Sequence, residues 1–85
     1  MPKRIIIVHG FASSPKMDWF PWLKKELEKA GHKVEAPQMP DPFTPVIEEW
    51  IPFLSKVVGI PDENTFFIGH SIGCQAIIRY LETLP

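Results

Sequence analysis

Thr65-Phe66-Phe67-Ile68-Gly69-His70-Ser71-Ile72-Gly73 packs a strand, a sharp turn and the start of a helix into one short run. Thr65–Ile68 is apolar and aromatic, as expected of a parallel strand covered on both faces. Gly69-His70-Ser71-Ile72-Gly73 then matches G-x-S-x-G, and the spacing has a steric cause. A chain that turns from strand to helix within one or two residues forces the serine into a strained backbone conformation. The residues two before and two after it are driven together, and only glycine-sized side chains fit there. Gly69 and Gly73 meet that need. The Ser71 hydroxyl is thereby lifted to the carboxyl end of the sheet, at the positive end of the helix that follows.

Working outward, two further runs read as strands, Arg4–Val8 and His32–Ala36. Three stretches carry helical spacing. Asp18 to Ala30 is expected to be capped by Asp18, with Phe20, Leu23, Leu27 and Ala30 on the inner face and Gly31 as its stop. A second helix is expected to start at Thr44-Pro45, with Ile47, Trp50, Ile51, Leu54 and Val58 inward and a kink or break at Pro52. The third begins directly after Ser71 and runs to about Leu84, with Cys74, Ile77, Ile78, Leu81 and Leu84 as core candidates. The order βαβαβα implies a three-layer α/β/α fold on a short parallel sheet with right-handed crossovers, and if strands two and three flank strand one the strand order is 2-1-3. The chain reads as one α/β domain over residues 1–85, the amino-terminal part of a larger fold.

That order opens a crevice between the carboxyl ends of strands one and three, where open α/β sheets bind ligands. Strand one ends in His9-Gly10-Phe11-Ala12-Ser13-Ser14, and the loop at Gly10-Phe11 is expected to face Ser71 across it. The backbone N–H of Ile72 and an N–H at Phe11 then form an oxyanion hole.

Around these motifs, Asp18-Trp19-Phe20-Pro21-Trp22-Leu23-Lys24-Lys25-Glu26-Leu27-Glu28-Lys29, Gln38-Met39-Pro40-Asp41-Pro42, Trp50-Ile51-Pro52-Phe53 and Ile68-Gly69-His70-Ser71 resemble the small serine hydrolases of the retinoblastoma-binding-protein-nine and YdeN type. The resemblance spans nearly the whole chain. It implies an α/β-hydrolase fold, hydrolysis of carboxyl esters or amides, and Ser71 as nucleophile. The first loop departs from the family, since some relatives are richer in glycine where this chain has His9-Gly10-Phe11.

A serine needs a base, and the base an orienting acid, in the chain order Ser, Asp or Glu, His. The residues after Ser71 contain no His and no Asp, and Glu82 is their one Glu. Upstream, His70 occupies the variable position of the turn, His9 ends the first strand near the crevice, and His32 lies at the sheet's opposite end. The family's acid and histidine have no counterparts here. Two readings therefore stand: a serine hydrolase present as its nucleophile-bearing portion, or a non-catalytic α/β module that binds or associates.

Other candidates have plainer readings. Cys74 suits a small buried residue, although a helix's first turn favours a thiolate. Trp19, Trp22 and Trp50 could line an acyl pocket but more often pack in a core or interface. Asp18, Asp41 and Asp62 sit in turns or caps without paired spacing, so neither metal nor cofactor is expected. A net charge of −1 with Lys and Glu interspersed gives no basic face for nucleic acid. The four-residue apolar run at Ile5–Val8 is too short for a signal peptide and nothing approaches a membrane span. A single cysteine fits a reducing compartment, the cytoplasm. The third strand, apolar yet at an edge, is expected to recruit a second copy through Thr65–Ile68.

Overall fold

The computed structural model of the chain describes residues 2–85. Its elements run β1 Arg4–Val8, α1 Phe20–Lys29, β2 Lys33–Glu35, α2 Ile47–Val58, β3 Thr65–Gly69 and α3 Ile72–Leu81. The strands are all parallel and lie in the order β2-β1-β3. Ile5 pairs with Val34 on one side and Phe66 on the other, which sets the register of the whole sheet.

β1 is central because its four β-branched residues, Ile5-Ile6-Ile7-Val8, are buried on both faces. Alternation divides them. Ile6 and Val8 join Met39, Trp50, Leu54, Val58, Ala76, Ile77 and Tyr80 in a core beneath α2 and α3. Ile5 and Ile7 join Phe20 and Val34 beneath α1. The β1-α1-β2 and β2-α2-β3 crossovers run in opposite directions across the sheet, so right-handedness puts α1 on one face and α2 on the other.

Helix boundaries differ from the sequence reading, each for a local reason. α1 starts at Phe20 with Trp19 as its uncharged cap; Asp18 takes φ 56° and accepts a hydrogen bond from the Ser13 hydroxyl at 3.2 Å instead. Ala30, expected inside, is exposed past the helix end. α2 starts at Ile47 after an extended Val46, not at Thr44-Pro45. It remains one helix through Pro52, whose missing N–H would otherwise bond in the preceding turn. Trp50, Leu54 and Val58, on one buried stripe, hold it against the sheet.

Arg4, at the start of β1, ties the carboxyl ends of β2 and α2 to the central strand. Its guanidinium donates to both Glu35 carboxylate oxygens at 3.1 Å, to Val57 O at 3.0 Å and to Val58 O. The last two are carbonyls at the negative end of α2, where a cation is favoured. Tyr80, nearly fully buried, has a hydroxyl with no hydrogen-bond partner among the described residues. Burial pushes its ionisation above the usual phenol range, with nearby Arg4 opposing that shift.

α3 bears out Ile77 as core, with Leu84 packed partly buried against it, but its inner face is rotated from the one expected. Gly73, Ala76, Ile77 and Tyr80 are buried, whereas Cys74, Ile78 and Leu81 are exposed. The small residues at 73 and 76 let the helix press its backbone on the sheet, which rotates the larger apolar positions to the flank.

Candidate functional site

Ser71 stands where β3 becomes α3. Its φ of 58° and ψ of −128° lie in a region that side-chain-bearing residues rarely enter. Strain of this kind costs roughly 1–3 kcal/mol and persists only where the surroundings enforce it. Here they do. Gly73 N–H donates to His70 O at 2.9 Å and Cys74 N–H to Ser71 O at 3.0 Å, which closes the turn at once. Those bonds leave the Ile72 N–H at the turn's crest, unused by them.

The glycines are required by close approach. A Cβ on Gly69 would fall 2.8 Å from Ile77 Cδ1 and 2.9 Å from Cys74 N. One on Gly73 would run into the carbonyl oxygens of Val8 and His9. Both neighbours of the second clash are backbone and cannot yield.

Strands one and three meet here from opposite sides. A Cβ on Gly10 would lie 2.8 Å from Ser71 Cβ and 2.9 Å from His70 O, so the first loop abuts Ser71 directly. The sequence places Gly10 in the loop expected to face Ser71, and the close approach agrees. Its signal was a glycine immediately after a buried strand. Phe11, the next residue, is 59% exposed and so does not fill the core. Ser71 is itself exposed. Ser71, Ile72, Gly69, Gly73 and the Gly10–Phe11 loop are thus gathered at one end of the sheet.

The loops around the crevice are held by three ties from the Gln38–Pro42 segment. Met39 N–H donates to His9 Nε2 at 2.9 Å, the Trp50 indole donates to Pro40 O at 2.7 Å, and Ala12 N–H donates to Pro42 O at 2.7 Å. Trp50 is accordingly core, while Trp22 is exposed and Trp19 lies against Phe20 and His70 with ring centroids 4.3 and 5.9 Å apart.

The histidines separate cleanly. His9 is buried, with Nδ1 2.9 Å from Gly10 O and Nε2 accepting from Met39 N–H, so the neutral ring protonated at Nδ1 satisfies both nitrogens. It is committed to holding the loop. His70 is exposed, with its ring edge-on to Trp19 and Phe20 on the α1 side. His32 accepts from the Lys3 backbone N–H at 3.0 Å, at the far end of the sheet. Glu82 follows the end of α3 and pairs with Arg79 at 3.6 Å. No hydrogen bond joins any of these side chains to Ser71 among the described residues. Cys74, expected to be buried, is exposed on α3.

Among the described residues no cluster of His, Cys, Asp or Glu could hold a metal ion, and no helix is long and apolar enough to cross a membrane.

Comparison with known proteins agrees with this geometry. The serine hydrolase family model matches residues 5–85. YdeN of Bacillus subtilis (strain 168), described as a hydrolase, is 43% identical over 84 residues, covering 99% of this chain and 44% of its own length. The serine hydrolase RBBP9 of Rattus norvegicus is 38% identical over 85 residues, covering 96% of this chain and 45% of its own. The crystal structure of the ydeN gene product superposes with a TM-score of 0.92 at 42% identity, over 98% of this chain and 45% of that one. The chain therefore spans less than half the length of the relatives it matches.

Proposed function

The chain belongs to the serine hydrolase family, and on that premise we propose that Ser71 is the nucleophile of a carboxyl-ester or amide hydrolase site whose acid and base lie outside these residues. The observation that carries this reading is the backbone of Ser71, held at φ 58° between two glycines that admit no side chain. A fold that keeps such strain at one exposed hydroxyl is supporting chemistry there.

The Ser71 oxygen attacks the carbonyl carbon of a bound ester or amide, and its proton passes to a base. The carbonyl oxygen gains negative charge in the tetrahedral intermediate. The backbone N–H of Ile72, and one from the Phe11 side of the first loop, donate to that oxygen, aided by the positive end of α3. The intermediate collapses, the alcohol or amine leaves with a proton, and water repeats the sequence to release the acid. Neither His9, with both nitrogens bonded, nor His32, at the other end of the sheet, can take the first proton. We assign that role to a histidine outside this chain, oriented by an external carboxylate, and place the protein in a reducing compartment such as the cytoplasm.

A specific observation favours a second reading for the 85 residues alone: among the described residues no side chain hydrogen-bonds the Ser71 hydroxyl. On that reading the chain is an α/β module that binds or associates without turnover.

Exogenous imidazole separates the two. The first reading expects slow phosphonylation by an alkyl fluorophosphonate, accelerated by imidazole as a stand-in base and abolished by Ser71→Ala. Folded protein that stays unlabelled with imidazole present, or a label that persists in the alanine variant, would overturn it.

A further inference from the structure

We propose, on the footing of the Ser71 reading, that the segment Gln38–Pro42 sets the aim of the Phe11 N–H in the oxyanion hole. It does so by fixing the peptide planes on both sides of Phe11, one through His9 and one through Ala12.

The first plane is that of the Gly10–Phe11 peptide, whose carbonyl oxygen is 2.9 Å from His9 Nδ1. Among the described residues no peptide bond is cis, and in a planar trans peptide the N–H points opposite to the C=O. A His9 ring that donates from Nδ1 therefore turns the Phe11 N–H away from itself, and so away from the core in which His9 is buried. The second plane is that of the Phe11–Ala12 peptide, whose N–H donates to Pro42 O at 2.7 Å. Phe11 is held from both sides, and its own N–H is spent on neither bond.

The segment also decides where the His9 proton sits. Met39 N–H donates to Nε2 at 2.9 Å, and the Gln38 side-chain nitrogen lies 3.2 Å from the same atom. A backbone N–H can only donate, so Nε2 accepts and the proton of the neutral ring resides on Nδ1. In the other tautomer Nδ1 would face the Gly10 carbonyl as a second acceptor, and the first plane would lose its tie.

The segment is itself anchored. The Met39 side chain lies in the core beneath α2, and the Trp50 indole donates to Pro40 O at 2.7 Å. The Trp50 ring also stands edge-on to His9, with centroids 5.7 Å apart. Ala12 holds φ 54° and Asp41, just before Pro42, holds φ 46°. Left-handed backbone thus flanks the Ala12–Pro42 bond from both strands of chain, as happens where surroundings enforce a geometry. The second donor shares the same reference point. Gly73 rests against the Val8 and His9 carbonyls, so the turn carrying the Ile72 N–H is seated on the residue that orients Phe11.

His9 is therefore a positioning residue. Nitrogen NMR of the unaltered chain is expected to show the neutral His9 ring protonated at Nδ1; a ring protonated at Nε2 overturns the proposal. Fluorophosphonate labelling with imidazole then compares His9→Asn with His9→Ala. Both leave the Met39 N–H unpaired and lower stability, but the asparagine side-chain nitrogen takes the place of Nδ1 beside Gly10 O. His9→Asn is expected to keep its maximal labelling rate within about threefold of the unaltered chain. His9→Ala is expected to lose at least ~tenfold, with the half-saturating probe concentration little changed. Equal rates in the two folded variants overturn the proposal and leave Ser71 as nucleophile. An unaltered chain that takes no label overturns the Ser71 reading, and the proposal with it. Trp50→Phe covers the case in which neither His9 variant folds, since it keeps a ring beside His9 but removes the donor to Pro40 O. It is expected to label at least ~threefold more slowly, with faster exchange of the Ala12 amide. A Trp50→Phe protein that matches the unaltered chain in either respect overturns the proposal.

Discussion

β1 and β3 lie side by side and each is followed directly by a histidine, yet the two exits are built for opposite purposes. At the β1 exit His9 is buried and bonded at both ring nitrogens, and the loop beyond is tied to Met39 and Pro42. At the β3 exit His70 and Ser71 are exposed, and the backbone enters a strained conformation before α3 begins. The first exit spends its polar groups on architecture; the second holds one hydroxyl free. Gly10 joins them, since its Cα hydrogen faces Ser71 Cβ where any side chain would collide. The lesson is that the rigid exit serves as the wall against which the strained one is held.

The contrast can be broken most severely at Gly73. Its missing side chain faces two backbone carbonyls of the β1 exit, so Gly73→Val is expected to remove most of the stability of a chain this small, on the order of 5 kcal/mol. Loss of the helical circular dichroism signal would register it. A folded Gly73→Val protein would mean that the two exits are not in contact.

Next in size is His9→Ala. It leaves the buried Met39 N–H without its acceptor and opens space beside Trp50, whose ring centroid is 5.7 Å from that of His9. A loss of about 2–3 kcal/mol is expected in urea denaturation. Ser71→Gly should act in the other direction. Glycine accepts positive φ, so the variant is expected to gain about 1 kcal/mol while losing all fluorophosphonate labelling. A Ser71→Gly protein no more stable than its parent would show that the turn is relaxed. Smallest is His70→Ala, an exposed position expected to change stability by less than about 0.5 kcal/mol. An effect as large as that of His9→Ala would erase the distinction between the exits.

The sequence carried much of this arrangement. β1 was legible because a run of β-branched residues buried on both faces admits few alternatives, and placing that most apolar strand between the other two gives the observed 2-1-3 order. The strand–turn–helix at residues 65–73 was legible because its glycine spacing has a steric cause. What stayed hidden depended on tertiary contact. Asp18 looked like a cap, but Ser13 claims its carboxylate and φ turns positive, so α1 begins at Phe20. On α3 the expectation holds for Ile77 and Leu84 but not for Cys74, Ile78 and Leu81, which are as apolar as the true core stripe. Only the close approach of Gly73 and Ala76 to the sheet decides which stripe is inside. The role of Met39-Pro40-Asp41-Pro42 in bracing His9, Trp50 and Ala12 likewise rests on backbone groups that no side-chain pattern reveals.

A crystal structure of the chain phosphonylated by a fluorophosphonate would test the central claim most directly. The account predicts a phosphonyl group on Ser71 Oγ, with its free oxygen about 2.7–3.1 Å from the Ile72 N–H and from an N–H at the Phe11 end of the first loop. An adduct on another residue, or a phosphonyl oxygen turned to solvent with both N–H groups unengaged, would contradict it.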